Sequence, residues 1–250
     1  MIITVLITAL GVGGATIIGA LIGFLFKGLS HKFSDLITSF AAGVMLCAAV
    51  VGLLLPAVDE GGKLGLLWAI LGIFAGALFL NLIDKSVPHL HKLMGKDFES
   101  HQNKNVGKVM LFVLAIAIHN FPEGIAAGVS FGSENVNQAL VIAGGIALQN
   151  IPEGLVIIAP MLGAGVSKKK TLAIASLTGV VEIVGTFLGY AVSISSAILP
   201  FALAFAGGTM LYVISDEMIP ETHHEGHQRG ATYALLLGFC VMLITDVLLG

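Results

Sequence analysis

The sequence predicts an all-α fold, a polytopic membrane protein with eight transmembrane helices in a single transmembrane domain, residues 1–250. Three observations predict it: the composition, the length of the apolar runs and the placement of the basic residues. Hydrophobic residues make up 56% of the chain and charged residues 11%, and the mean hydropathy is +0.98. Because soluble domains carry roughly 25% charged residues, this chain has too few charges to cover a soluble surface.

The apolar runs are long and unbroken, whereas the strands of a membrane β-barrel alternate over segments of about ten residues. A helix crosses a bilayer with about 20 mostly apolar residues. Eight runs reach that length, at about 2–26, 34–56, 64–84, 107–131, 137–160, 170–192, 197–219 and 231–249. A polar cytoplasmic loop at about 85–106 separates the third run from the fourth, and it carries His89, His91 and His101.

The basic residues predict the orientation. With eight spans, alternate linkers share one side of the membrane, and every Lys and Arg except Lys63 then lies on the same side. Because Lys and Arg concentrate in cytoplasmic linkers, we expect a multi-pass protein of the cell membrane with both termini outside. The clean division also supports the count of eight, since a missed span would mix the two sides.

Two related segments lie at the centre of the chain. His119-Asn120-Phe121-Pro122-Glu123-Gly124 recurs 30 residues later as Gln149-Asn150-Ile151-Pro152-Glu153-Gly154. The fourth and fifth spans are consecutive and therefore antiparallel, so the two segments form an inverted repeat, a feature typical of transporters. Eight spans then suggest a 3+2+3 bundle, although the outer triplets show no strong sequence repeat.

The central segments combine residue types that bind divalent metals. His119 and Glu123 are four residues apart and share a helix face, as do Gln149 and Glu153. If the two faces meet, one imidazole, two carboxylates and amide oxygens of Asn120 and Asn150 converge, a mixture that zinc accepts.

Each of these residues also has a structural interpretation. A lone His is usually a core residue, Asn and Gln often join membrane helices, and Pro often makes only a kink. The joint pattern favours function, because two ionised Glu in hydrocarbon cost several kcal/mol without partners. No Lys or Arg lies at that depth, which leaves a divalent cation or protons as counter-charges.

Two further residues lie at membrane depth. Glu182, between Gly179 and Gly185 in the sixth span, is either a metal ligand or a protonated, hydrogen-bonded side chain. A third carboxylate exceeds what one divalent ion neutralises, so either two ions bind or one carboxyl is protonated. Met45 in the second span is usually a packing residue, with a thioether as a less common metal ligand.

Polar clusters lie at both ends of the spans. The seventh span ends in a group of acidic and His residues that either lines a release path or forms a solvated helix end: Asp216, Glu217, Glu221, His223, His224, Glu225 and His227. On the other side, Asp246, Asp59 and Glu60 have the sign and position to attract cations to an entrance.

The paired central motif, followed by Gly179-x-x-Glu182-x-x-Gly185, resembles the ZIP family of divalent-metal transporters, and in style its prokaryotic ZupT-like and GufA-like branch. The resemblance covers nearly the whole chain. It implies uptake of zinc as the substrate, often with Fe²⁺, Mn²⁺, Co²⁺ or Cd²⁺, and no cofactor. It also implies sliding of one helix bundle against another, and frequently a homodimer.

The resemblance further implies a two-metal site. The first metal would be bound by His119, Glu123, Gln149 and Glu153, with Met45 nearby. The second would be bound by Asn120, Asn150 and Glu182, with Glu123 and Glu153 as bridges, and Asp216, Glu217 and Glu221 would form the release path. Many members have His at the position of Gln149, and some have a carboxylate at that of Asn150. Both departures weaken the expected hold on a second ion.

The sequence thus predicts an importer of divalent metal ions that contacts the lipid bilayer and has no nucleic-acid partner. An exporter, a metal/proton exchanger or a channel on the same scaffold is an alternative, since sequence does not set direction. An intramembrane metalloenzyme would need a His-Glu-x-x-His motif, which this chain lacks; we expect no enzyme.

Overall fold

The computed structural model of the protein describes residues 1–26, 30–86, 106–133, 135–223 and 226–250. Long helices fill these ranges, and none of the described residues forms a strand. The helices are α1 (Ile2–Gly23), α2 (His31–Glu60), α3 (Gly65–Ser86), α4 (Val106–Val129), α5 (Val136–Gly163), α6 (Lys168–Ser193), α7 (Leu199–Thr222) and α8 (Gln228–Leu249). Most of the predicted polar loop, with His89, His91 and His101, lies outside the described residues, as do His224 and Glu225.

Seven helices are long and apolar enough to cross a membrane, counted over the described residues. They are all of the helices above except α4, which has 24 residues and carries the first central motif. An all-helical chain with this many apolar helices of membrane length confirms the predicted class, a polytopic α-helical membrane protein. The prediction of eight spans counts α4 as a further crossing.

Side-chain caps define where several helices begin. The hydroxyl of Ser30 accepts the amide N–H of Phe33 at the start of α2, at 3.3 Å. Ser167 does the same for Lys170 at the start of α6, and the Asn135 side chain caps α5. Because these caps satisfy amide groups that have no intrahelical partner, the helices begin at polar residues that precede the apolar runs.

One group of helices is held together by glycines that lie directly against neighbouring backbones. A Cβ added at Gly124 of α4 would lie 2.2 Å from the carbonyl oxygen of Glu182 in α6. A Cβ at Gly154 of α5 would lie 2.0 Å from that of Thr16 in α1. Helices α1 and α6 cross where Gly13 meets Gly179, each with a hypothetical Cβ 2.3 Å from the other's carbonyl oxygen. Such small-residue contacts let membrane helices approach closely, and they unite α1, α4, α5 and α6.

The remaining helices form a second group by the same device. Gly43 of α2 lies against Leu235 of α8, where a Cβ would approach a carbonyl oxygen to 1.9 Å. Gly208 of α7 lies against Ile73 of α3, where an added Cβ would lie 2.5 Å from the Ile73 carbonyl oxygen. The first group meets the second mainly where α5 contacts α2 and α4 contacts α7. One apolar core spans that boundary and includes Met45, Ile142, Ile146, Leu203 and Met210.

Helices α2 and α7 share a local irregularity. A π-helical stretch runs over Ala48–Leu54 in α2 and over Ile214–Met218 in α7. In each helix a proline follows closely, Pro56 or Pro220. Proline supplies no amide N–H and frees a carbonyl one turn earlier, and π-helical turns often mark functional positions. The stretch in α7 carries Asp216 and Glu217.

Candidate metal site

The polar centre of the first group is organised around the carboxylate of Glu182, which is fully buried. The hydroxyl of Thr16 donates to its Oε1 atom at 2.6 Å. Asn120 Nδ2 donates to the same oxygen, and Asn150 Nδ2 donates to Oε2 at 2.6 Å. Donors from α1, α4 and α5 thus converge on one carboxylate of α6. The structure therefore brings together three residues predicted at the second ion, and it adds Thr16, which the sequence analysis did not identify.

Beside this carboxylate lie buried oxygens that are acceptors without donors. Among the described residues, neither carboxylate oxygen of Glu123 has a hydrogen-bond partner, nor has Oε2 of Glu153. Asn120 Oδ1 and Gln149 Oε1 are likewise buried and unpartnered within the described part of the chain. Glu123 is only 1% exposed. Because unpaired buried acceptors are costly, such a concentration indicates a place for a cation.

Basic side chains of the same helices do not lie at this depth. Helices α1 and α5 contain no Lys or Arg, while α4 and α6 contain them only within their first three residues, at Lys108 and Lys168–Lys170. Glu123 and Glu153 therefore have no Lys or Arg of these helices beside them. A divalent ion would supply positive charge beside the carboxyl groups, and as a Lewis acid it would accept the lone pairs of these oxygens.

His119 has a different partner from the one that the sequence predicts. Its Nε2 atom lies 2.9 Å from Oε1 of Glu217 in α7. Glu217 is 9% exposed, so the predicted release-path residue is buried beside the centre. Among the described residues, no group of three or more His, Cys, Asp or Glu is arranged to hold a metal ion. The contact of His119 is thus with α7, while the unpartnered oxygens belong to amides and to two carboxyl groups.

The remaining predicted ligand, Met45, is 1% exposed and belongs to the apolar core shared by the two groups. Around it the helices of both groups meet. This position agrees with the packing role of Met45; its role as a metal ligand stays a prediction.

The cluster at the end of α7 is divided among different roles. Asp216 and Glu221 are exposed. The ring of His223 bonds to the carbonyl oxygen of Ile219 at 2.9 Å and to Thr232 Oγ1 at 3.2 Å, which ties the end of α7 to α8. His227 Nδ1 lies 3.5 Å from Oδ2 of Asp35 in the first turns of α2. Asp35 could not be identified from the sequence, because no motif in α2 indicates that it lies beside the distant His227.

An open pocket of about 320 Å³ lies where α2 ends and the α4–α5 turn begins. Its wall brings together residues of both groups: Val51, Leu55, Pro56, Asp59, Glu60, Ser133, Asn135 and Gln138. Asp59 and Glu60 thus line a pocket, as an entrance for cations would require. Asp246, the other predicted entrance residue, is half-buried near the end of α8.

A bundle of apolar helices that buries unpaired carboxylates at its centre is the architecture of a membrane transporter for a charged solute. Comparison with known proteins agrees with this class. The family model described as ZIP Zinc transporter matches residues 92–246. The chain is 41% identical over 252 residues to the zinc transporter GufA of Myxococcus xanthus, covering 98% of each chain.

Two further relatives extend the similarity. The zinc transporter ZIPB of Bordetella bronchiseptica is 35% identical over 243 residues, which cover 94% of this chain and 78% of that protein. The zinc transporter ZupT of Chlorobaculum parvum is 37% identical over 252 residues, covering 94% of each chain. The chain belongs to the ZIP zinc transporter family, and it is a transporter rather than an enzyme.

Proposed function

We propose that this protein carries zinc across the cell membrane into the cytoplasm through the centre formed by α4 and α5. The observation that carries the proposal is a set of buried oxygens that have no hydrogen-bond partner in the described part of the chain, on Glu123, Glu153, Asn120 and Gln149. Relatives named zinc transporters along nearly the full chain support zinc as the substrate. Fe²⁺, Mn²⁺, Co²⁺ and Cd²⁺ accept similar nitrogen and oxygen donors, and we expect some of them to compete.

In this proposal Glu123 and Glu153 neutralise the two charges of the ion. The unpartnered amide oxygens of Asn120 and Gln149 complete much of its coordination. His119 becomes a ligand when its ring exchanges Glu217 for the ion, and Met45 approaches from α2. Asn150 and Glu182 support this centre through their hydrogen bonds.

In this proposal the ion crosses by an exchange of contacts between the two groups of helices. The pair His119–Glu217 joins α4 of the first group to α7 of the second. When His119 binds the ion, this link is released, and the group α1, α4, α5 and α6 slides past α2, α3, α7 and α8. The ion enters by the pocket at Asp59 and Glu60. It leaves toward Asp216, Glu221 and His227, at the end of α7 and the start of α8.

We further propose that the whole chain is one transport domain built as a 3+2+3 inverted repeat, with α4 as the eighth span and both termini outside. Gly124 against Glu182 has its counterpart in Gly154 against Thr16. Gly185 against Phe121 likewise corresponds to Gly19 against Ile151. Helix α1 therefore stands to α5 as α6 stands to α4. The shared π-helical stretch and proline of α2 and α7 support the same relation.

Zinc uptake by purified protein in proteoliposomes tests the proposal. We expect saturable uptake by the wild type and its loss in Glu123→Ala. Thr209→Val controls for the general effect of substituting a buried side chain. Thr209 is buried in α7 and bonds only its own helix, at Ala206 O. Uptake by Glu123→Ala at the wild-type rate would refute the site. Repeating the assay with proton gradients of either sign distinguishes import from an exporter or exchanger.

A further inference from the structure

We propose that Thr16 is a positioning residue of the transport site: through Glu182, its hydroxyl fixes the amides of Asn120 and Asn150, so that the oxygens of Asn120 and Gln149 face the ion. The inference rests on the proposed function, and it assigns a role to a residue outside the central motifs. It also assigns Glu182 to orientation of the site and leaves the compensation of the ion's charge to Glu123 and Glu153.

The hydroxyl of Thr16 makes an unusual bond for a threonine within a helix. Such a hydroxyl ordinarily bonds a carbonyl three or four residues earlier in its own helix. Thr178 and Thr186 in α6 do this, to Ala175 O at 2.8 Å and to Glu182 O at 2.9 Å. Thr16 instead donates to the carboxylate of another helix at 2.6 Å, although it is fully buried. Its hydroxyl is therefore committed to Glu182.

Glu182 in turn determines which way the asparagine amides point. A side-chain amide has donors on its nitrogen and acceptors on its oxygen. Because Asn120 Nδ2 is anchored on Glu182 Oε1, Asn120 Oδ1 points elsewhere, and it is one of the buried oxygens without a partner among the described residues. The carboxylate thus turns a neutral side chain into an oriented oxygen donor.

Glu182 also determines the orientation of two neighbouring amides in α5, those of Asn150 and Gln149. Asn150 Nδ2 donates to Glu182 Oε2 at 2.6 Å and to Val12 O at 3.3 Å, so its Oδ1 is left to accept Gln149 Nε2 at 3.4 Å. Gln149 Oε1 is then the free end of the chain of amides. One carboxylate therefore sets three amides in line, and two of them end in an unpartnered oxygen.

The number of bonds separates Glu182 from the other two carboxylates. Both of its oxygens accept hydrogen bonds, from Thr16 and Asn120 on Oε1 and from Asn150 on Oε2. Glu123 makes no hydrogen bond of standard geometry with the described residues, and only the Gln149 amide lies near enough to interact with it. An ion would displace three donors to reach Glu182 and at most one at Glu123. This difference assigns anchoring to Glu182 and charge compensation to Glu123.

Backbone packing keeps Thr16 in place. The carbonyl oxygen of Thr16 lies against Gly154, where an added Cβ would come within 2.0 Å. Three residues earlier, Gly13 meets Gly179 of α6 at backbone distance. Helix α1 is thus fixed between α5 and α6 on both sides of Thr16, and its hydroxyl needs no rearrangement to reach Glu182.

Three variants test the assignment: Thr16→Val, which keeps the shape and removes the hydroxyl, Thr16→Ser, which keeps the hydroxyl, and Thr178→Val as a buried threonine with only a local bond. We measure the zinc Kd by equilibrium dialysis of purified protein, and KM and kcat in proteoliposomes. For Thr16→Val we expect Kd and KM to rise about tenfold, the equivalent of about 1.4 kcal/mol, with kcat changed less than about twofold. Thr16→Ser and Thr178→Val should resemble the wild type.

Wild-type Kd and KM in Thr16→Val, with Glu123→Ala inactive, would overturn the role of Thr16 and leave the proposed function intact. A fall in kcat at constant KM would also overturn it, since that result indicates a structural contribution alone. Absence of zinc uptake by the wild type would instead refute the proposed function. If Thr16→Val does not fold, Thr16→Ala replaces it, because it also removes the hydroxyl and brings no metal ligand, and the same rise in Kd and KM is required.

Discussion

His119 Nε2 lies 2.9 Å from Glu217 Oε1, and this contact joins the helix that carries the first central motif to the π-helical stretch of α7. The two residues are 12% and 8% exposed at their side chains. A strong nitrogen ligand of the proposed centre is thus engaged by a carboxylate of the other group of helices. Binding of an ion by His119 competes directly with contact between the groups.

Glu217→Gln should tighten zinc binding and slow its release. The substitution keeps the side-chain volume and removes the charge that holds the imidazole. A typical hydrogen bond contributes about 1 kcal/mol net. If the variant loses that contribution, the imidazole is freer to bind the ion, and we expect the zinc Kd to fall about fivefold and turnover to decrease. Isothermal titration and proteoliposome uptake measure the two effects, with Thr209→Val as the control, because Thr209 is buried in the same helix and bonds Ala206 O. Weaker binding would instead identify Glu217 as a ligand.

Much of the centre could be predicted from the sequence because polar residues stand out in apolar helices. Three carboxyl groups at membrane depth without Lys or Arg predict a bound cation or protons: Glu123, Glu153 and Glu182. Their helical surroundings follow from the apolar runs and from the caps at Ser30 and Ser167. The predictions that concern single ligands remain predictions, since they depend on a bound ion.

Thr16, Asp35 and the partner of His119 could not be predicted, because each depends on which helices pack together. A threonine in an apolar helix usually bonds its own backbone, so its type carries no signal. A pattern does exist: Gly13-x-x-Thr16-x-x-Gly19 matches Gly179-x-x-Glu182-x-x-Gly185. The expectation that the outer helices share no strong repeat overlooked this match, because glycines are frequent throughout the chain.

Glu123→Gln should stabilise the metal-free protein and abolish its stabilisation by zinc. Buried acceptors without donors are costly, and the amide brings a donor for the neighbouring unpartnered oxygens at constant size. A gain of 1 kcal/mol corresponds to a rise in Tm of about 2–4 °C for a chain of this size class. Zinc at one hundred times Kd should stabilise the wild type by about 2.7 kcal/mol and the variant hardly at all. Thermal unfolding in detergent, with and without zinc, measures both. A lower Tm for the metal-free variant would show that Glu123 has a partner in the absence of metal.

Gly124→Ala should impair the site through the backbone. The new Cβ would lie 2.2 Å from the carbonyl oxygen of Glu182, so α4 must move away from α6 and carry Asn120 from its carboxylate partner. We expect zinc uptake to fall at least about tenfold, since every 1.4 kcal/mol of lost binding is a factor of ten. Gly144→Ala is the control, because a Cβ there has nothing within 4 Å and alanine favours the helix. Wild-type uptake by Gly124→Ala would show that the close approach of α4 and α6 does not matter to the site.

Asn150→Asp should convert the amide arrangement into a second cation site. The substitution removes the Nδ2 donor to Glu182 Oε2 and places a second acidic group beside that carboxylate. Like charges in a buried site are unfavourable, and a further divalent ion relieves their repulsion. We expect bound zinc to rise from one to two ions per chain by elemental analysis after dialysis. Asn81→Asp in α3, where the amide bonds Tyr212 at 3.2 Å, is the matched control and should remain at one ion. One ion in Asn150→Asp, held more weakly than in the wild type, would show that Glu182 is unavailable to metal even without its donor from Asn150.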